Sequence, residues 1–459
     1  MDTLTVTEQV DWTAFGRLLR DLRRRRGLTQ LQLADRLGYH HTQISRLESG
    51  RRQPGEDFTE RADRLLRAEG ALTSLRHATR RRRPASRSTS PIPAVPLPAG
   101  VLPATVLRPD NRWPSHLPAA GVFCPLHPAD ACALPEPAAL TAYFAVPGRL
   151  TRQPQWRDPF AVHAFAALAA VYALAGDRQH TARGLPLVEA LGHALRRWAL
   201  TSADPADRRI PLWLAATYAR LAGRLHFVGG RNGPAMTWLG IGADWAELAG
   251  AADTRATLLA HMCMVACADR DAVALLELAR RLATTRPERA WTRAAANLHA
   301  ARGHALAGRP YAHLHHLRLA HDWRRRADGW DRLSAPWLPG QRGDVVLASH
   351  HGAALRDLAA LSGDRRQARS AVREIARVWD PAAPAPESLI FTARLADAHA
   401  CAGDLDAALA TLDVLPPPTA EPHGLLAHEL TGLRRRLTSL GAPRSRADIW
   451  LNPPAQRAG

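Results

Sequence analysis

The side chains that could do chemistry in this chain fall into a few groups. Cys124, His127 and Cys132 stand in a C-x2-H-x4-C spacing, which offers two thiols and an imidazole to a metal ion. A structural zinc site wants four ligands, usually with recurrent CxxC or HxxxH spacing. No second half recurs here, so the trio reads as a chance cluster, and no metal or other cofactor is expected. Cys263 and Cys267 lie one helical turn apart beside Met262 and Met264, a stripe that reads as core. His313, His315, His316 and His321 share one predicted helix with Arg324–Arg326. They suit an anion or a metal, and a polar solvent face explains them as well. HExxH, Walker A, GxSxG and a GxGxxG following a strand are all absent, so an enzyme reading has no positive support.

Arginine is the remaining reactive group. All 61 basic residues are Arg, against 42 acids, giving a net charge of +19 and a pI near 11.2. Such an excess implies an acidic partner, nucleic acid or a membrane surface. It is concentrated: residues 1–83 carry 18 Arg and 11 acids, whereas the other 43 Arg and 31 acids spread over a segment more than four times longer. The runs Arg23–Arg26 and Arg80–Arg83, taken alone, read as solvated faces or as an arm adding nonspecific phosphate affinity.

A membrane role is not expected. The one candidate span, Phe160–Gly176, is mostly Ala, contains His163 and sits at the lower length limit, so it reads as a buried helix. The N-terminal MDTLTVTEQVDW has acids and no apolar h-region. Five scattered Cys (124, 132, 263, 267, 401) are too few and odd in number for a disulfide framework. A cytoplasmic protein is expected.

The elements that must position the basic N-terminal residues are short helices. Phe15, Leu18, Leu19 and Leu22 form one helical face, and Gly27 stops that helix. Thr29-Gln30-Leu31-Gln32 fits a capping box. Leu33, Ala34 and Leu37 make the inner face of a second helix, and Gly38 turns the chain. Ile44 and Leu47 mark the inner face of a third, ended by Gly50, and a later helix from Gly55 to Leu66 contributes Phe58, Leu65 and Leu66. Four or five helices around one small core are predicted over residues 12–78.

Gly27-Leu28-Thr29-Gln30, Leu33-Ala34, Gly38, Ile44-Ser45, Glu48-x-Gly50 and Pro54 stand in one ordered series. Here the chain resembles the helix-turn-helix domain of phage-repressor-like (xenobiotic response element) bacterial regulators. The resemblance implies that the helix from His41 to Leu47 enters the major groove of double-stranded DNA. It places His41, Thr42 and Arg46 at base edges, with Arg46 able to grip guanine O6 and N7. Gln30 and Gln43 fall at positions that contact phosphate or brace a base-reading side chain. Arg51 and Arg52 fall on a backbone-contacting loop, and Arg23 and Glu48 at positions that form a structural ion pair. One departure is His40, where the family usually has a Ser or Thr cap; the helix then starts at His41 or Thr42, and the base-reading set shifts by up to one position.

Pro84 to Pro159 holds 16 prolines, so residues 79–158 read as a Pro/Arg-rich linker, docked at most at its later end. From 159 to 441 the pattern is helical. Turn signals centred on Gly176, Gly230, Asp269, Gly308, Gly363 and Gly403 recur near every 40 residues, with two longer intervals. Each unit reads helix, tight turn, helix, and one hairpin cannot bury its own apolar stripe, so neighbours must stack. These units resemble tetratricopeptide repeats, with a longer period and few of the consensus aromatics. Residues 442–459 read as a flexible tail.

The fold class expected is therefore all-α: a helix-turn-helix bundle followed by a solenoid of helical hairpins. The function expected is a sequence-specific transcriptional regulator whose repeat region mediates dimerisation, effector sensing or both. Trp238, Trp245, Trp323, Trp330 and Trp337 are candidates for a dimer interface, an effector pocket or plain core. A peptide, a small molecule or a protein could be the effector. The alternatives are a peptide-pheromone-responsive regulator of similar architecture and an adaptor whose helical bundle serves protein contacts.

Overall fold

A computed structural model describes residues 12–39, 41–50, 54–68, 70–73, 75–76, 113–146, 148–150, 152–174, 178–202, 204–380, 387–415 and 424–441. The protein is all-α apart from one two-stranded sheet among the described residues. Its chain divides into two compact units, 1–94 and 95–459.

The first unit contains α1 (Thr13–Arg25), α2 (Gln30–Leu37), α3 (His41–Glu48) and α4 (Glu56–Leu66). Thr29 caps α2 in a true capping box: its hydroxyl accepts from the Gln32 amide while the Gln32 side chain accepts from the Thr29 amide. Gly38, at φ +73°, ends α2 in the left-handed conformation that a side chain would strain. Phe15, Leu19, Leu33, Ala34, Leu37, Ile44, Leu47, Phe58 and Leu66 form the buried core, joined by Trp12 and Leu72. Leu18, Leu22 and Leu65, expected inside, pack only partly buried at its edge.

In the second unit residues 113–158, expected to belong to the linker 79–158, are largely folded. Strands β1 (His116–Leu117) and β2 (Cys132–Ala133) pair antiparallel, and α5 (Pro137–Ala145) follows. Leu117, Val122, Phe123, Leu140, Phe144, Leu150 and Trp156 are buried in the same core as the following helices. Prolines do not prevent this because several occupy helix starts: Pro137 and Pro159 are first residues of their helices, where no amide hydrogen is needed. Residues 79–112 and the expected tail 442–459 lie outside the described residues.

Then come α6 (Pro159–Leu174), α7 (Arg178–Thr201), α8 (Pro205–Val228), α9 (Asn232–Leu248), α10 (Ala252–Ala268), α11 (Ala272–Thr285), α12 (Ala290–Leu306), α13 (Pro310–Arg325), the short α14 (Gly329–Ser334), α15 (Gly340–Ser362), α16 (Arg365–Ala376), α17 (Glu387–Ala402), α18 (Leu405–Asp413) and α19 (Gly424–Ser439). Each of α7 to α13 packs on its chain neighbour, as do α15 to α18. The recurrent turns are left-handed at Gly230, Gly308, Gly363 and Gly403, and at Arg270 rather than Asp269. Gly176 lies outside the described residues. Intermediate turns such as Gly250 account for the 40-residue spacing, since each interval spans two helices. The longer intervals come from the 24-residue helices α7 and α8 and from the insertion of α14.

The array returns on itself, because α19 also packs on α8. At Gly424 any side chain would run into the Phe227 carbonyl and Gly230. None of the five tryptophans singled out above is exposed: Trp245 is buried and the others are half-buried. The histidine run also turns partly inward, with His313 buried and bonded through Nδ1 to the Ala301 carbonyl and through Nε2 to His351. No helix among the described residues is long and apolar enough to cross a membrane.

Candidate nucleic-acid interface

Helix α3 has two faces. Ile44, Leu47 and Glu48 point into the bundle, while Thr42, Ser45, Arg46 and Ser49 are exposed at the i, i+3, i+4, i+7 spacing of a single stripe. Among the described side chains this stripe thus presents hydroxyls and one guanidinium. Gln43 is half-buried beside it. Ser45 and Ser49 were not among the base-reading candidates, although the same helical spacing from Thr42 could have found them. His41 opens α3, but its side chain lies outside what the structure describes, as do residues His40, Arg51 and Arg52.

Beside the packing of Ile44 and Leu47, a single carboxylate ties α3 to its neighbours. Glu48 accepts from Arg23 Nε at Oε1 and from Arg23 Nη2 at Oε2, the latter at 3.0 Å. It accepts from Gln30 Nε2 at 2.8 Å, with Arg20 a further 3.5 Å away. Arg23 also donates to the Leu28 carbonyl at 2.7 Å. Three helices therefore converge on one buried group. Burial pushes the Glu48 carboxyl up, but the bonds from Arg23 and Gln30 and the charges of Arg23 and Arg20 outweigh it, so the carboxyl stays below its ordinary range. The Arg23 guanidinium is held correspondingly more basic by its hydrogen bonds to Glu48. Gln30 consequently braces α3 through Glu48. Close approach of α1 to α3 depends on Gly16, where a side chain would meet the Leu47 and Glu48 carbonyls.

The Arg23–Arg26 run divides by the same logic. Arg23 turns in to Glu48, and Arg26 donates through Nε to the Leu66 carbonyl. Arg24 and Arg25 stay exposed at the end of α1.

Residues 14–75 match the family model of a helix-turn-helix domain. The match covers the four helices, the Glu48 hub and the exposed stripe of α3. Comparison of the whole chain with curated proteins and with solved structures gives no match. For the helical region from 113 onward, its own geometry therefore carries the argument.

That region contains a partly open cavity of about 570 Å³. Arg220, Arg224, Arg342, His261, His299 and His350 are among its polar lining, with Trp291, Trp337, Leu298 and Met264 among the apolar walls, and no carboxylate borders it. Arg220 is fully buried, and burial with Arg224 beside it lowers its guanidinium to about 9. Burial, reinforced by Arg220, pushes His261 down to about 3, and burial with Arg302 nearby pushes His299 down to about 4, so both imidazoles are neutral at pH 7. Arg220 Nε and the Nδ1 atoms of His299 and His350 are buried without a hydrogen-bond partner.

Proposed function

We propose that the protein is a DNA-binding transcriptional regulator of the phage-repressor-like (xenobiotic response element) type, acting in the cytoplasm. The observation that carries this reading is the exposed polar stripe of α3, held rigid by three-helix bonding at Glu48. A helix presented in this way, with a guanidinium and hydroxyls outward, suits the major groove. Thr42 and Arg46, with His41 at the helix start, are the proposed base-reading set, and Arg51 and Arg52 the phosphate contacts. An adaptor has no need of a guanidinium on that stripe.

The test is selection of bound duplexes from random DNA by the full chain, followed by salt titration. A defined motif, with binding that weakens steeply as salt rises, supports the reading. Equal retention of every sequence would overturn the sequence-specific reading, and no salt-sensitive retention at all would make the bundle a protein-contact module.

The helical hairpins, tetratricopeptide-like in layout, are proposed to carry control. One bundle of this size contacts a single half-site, and regulators usually span two with a symmetric pair, so a homodimer formed through the helical region is the expected state. For effector sensing the cavity favours a small molecule over a pheromone peptide. Its volume of about 570 Å³ matches a small ligand, and its guanidinium-rich lining without carboxylates suits an anion with an apolar body. A thermal-shift screen of small aromatic and aliphatic carboxylates against wild type and Arg220→Met checks this. Stabilisation of wild type alone is expected, whereas equal shifts in both would place the ligand elsewhere.

A further inference from the structure

The trio Cys124, His127 and Cys132, which lacks a fourth ligand in its own stretch of sequence, acquires one from a helix. His163, on α6, comes to the same point. One ligand atom from each of the four residues lies within 4.8 Å of every other. Cys124 Sγ and His127 Nδ1 stand 3.4 Å apart, and the rings of His127 and His163 stack with centroids 5.6 Å apart and planes 16° from parallel. Bond lengths of about 2.3 Å to sulfur and 2.0–2.1 Å to nitrogen give tetrahedral ligand–ligand edges of roughly 3.3–3.8 Å. The cluster needs only a small contraction to meet that geometry.

Two independent observations point to a ligand at this place. His163 interrupts a helix whose neighbours Ala161, Val162, Ala164 and Phe165 are all buried apolar residues, and its Nε2 is buried without a hydrogen-bond partner. A buried imidazole nitrogen left so is rare unless something accepts it. Secondly, Cys124 and Cys132 are buried free thiols within one small hairpin, Cys132 on β2 opposite Leu117 of β1.

We propose that Cys124, His127, Cys132 and His163 form a structural zinc site. Two sulfurs and two nitrogens in tetrahedral arrangement select Zn²⁺ among the common divalent ions. With four protein ligands no coordination position stays open, so the role is to fasten and not to catalyse. What it fastens is clear from the fold. Residues 116–133 contain a sheet of only two residues per strand, too little to hold a Pro-rich segment by itself. A metal shared with α6 would lock that segment onto the helical core. The same loop carries Ala120 and Gly121, which border the cavity, and the Ala120 carbonyl accepts from Arg220 Nη2 at 3.1 Å.

Metal analysis of the tag-free, reduced full chain tests the proposal. About one zinc per chain is expected, and replacement by Co²⁺ should give the visible bands of a tetrahedral ion with sulfur-to-cobalt charge transfer. Cys132→Ser and His163→Ala should retain about a tenth of an equivalent or less, while His163→Cys, which restores a ligand, and the double change Cys263→Ser with Cys267→Ser should keep the full amount. If Cys132→Ser fails to fold, cobalt titration of metal-stripped wild type decides. Wild type without zinc and without a tetrahedral cobalt spectrum overturns the proposal. So does a Cys124–Cys132 disulfide in the freshly isolated chain, or full zinc retention by His163→Ala.

Discussion

Arginine does different work in the two units. Among the described residues of the first, Arg17, Arg24, Arg25, Arg36, Arg46, Arg61, Arg64 and Arg67 are exposed, and only Arg23 and Arg76 are buried. In the second, Arg220, Arg302 and Arg356 are buried, and the last two belong to an interior network. Arg302 meets Asp357 at 2.8 Å, Arg356 meets Glu429 at 2.6 Å and Asp397 at 3.3 Å, and Arg394 and Arg436 complete Glu429 and Asp397 at 2.8 Å each. These residues sit on α12, α15, α17 and α19, and Arg270, from the α10–α11 turn, reaches Asp357 at 3.0 Å. The count of 61 arginines therefore overstates the cations available to an acidic partner, although the net charge does not, because buried carboxylates accompany the buried guanidinium groups. Part of the arginine content of the second unit is internal clamping, and the exposed arginines of the first stand ready for a polyanion.

The largest effect should come from breaking the clamp. Burial pushes the Asp357 and Glu429 carboxyls up, yet Arg356 with its neighbours holds both well below the usual carboxylate range. Arg356→Met would leave three buried carboxylates short of a counter-charge, and a loss of about 3–5 kcal/mol is expected. Denaturant unfolding of the full chain measures it. A loss under about 1 kcal/mol would mean that the network is not the fastening described, and the contrast between the units would weaken.

The hub in the first unit involves one carboxylate and should cost less. Glu48→Gln is expected to destabilise the bundle by about 3 kcal/mol, because Arg23 would keep its buried charge without a partner. Since the folded carboxyl is held below its unfolded value, its contribution is fully present above the ordinary carboxylate range and is lost as pH falls through the lowered value. Hydrogen exchange of α1 to α3 at graded pH should show protection falling on acidification in wild type. The Gln variant should lack that part of the dependence, and parallel curves for the two proteins would assign acid sensitivity elsewhere.

The first unit was legible because its signals are local. A capping box at Thr29, glycines at helix ends and an apolar stripe at helical spacing are each decided within a few residues, and the structure shows Thr29 and Gln32 bonded as the spacing requires. Residues 113–158 were less legible, because proline content argues against long helices but not against a fold in which proline stands at helix starts and in turns. The fourth member of the Cys/His cluster was invisible for another reason. His163 is 31 positions from Cys132 and inside a helical pattern, so only the packing of α6 on the β1–β2 segment brings them together. Long-range ion pairs such as Arg356 with Glu429, 73 positions apart, are hidden in the same way.

The smallest effect, and the finest test of the contrast, concerns two arginines of the first unit. Arg46 stands exposed on the α3 stripe, one turn from Thr42, where the proposed docking puts base edges within reach. Arg51, outside the described residues, is the proposed phosphate contact. Arg46→Ala is expected to lose about 1–3 kcal/mol on the selected site and to relax selectivity at one base pair, because a bidentate contact carries sequence information. Arg51→Ala should weaken matched and mismatched duplexes alike and lower the salt slope by about one, because a phosphate contact releases counterions without reading sequence. Affinity measured at several salt concentrations on both duplexes separates these outcomes. Identical profiles for the two variants would show that α3 does not lie in the groove with Arg46 toward the bases, even if the bundle binds DNA.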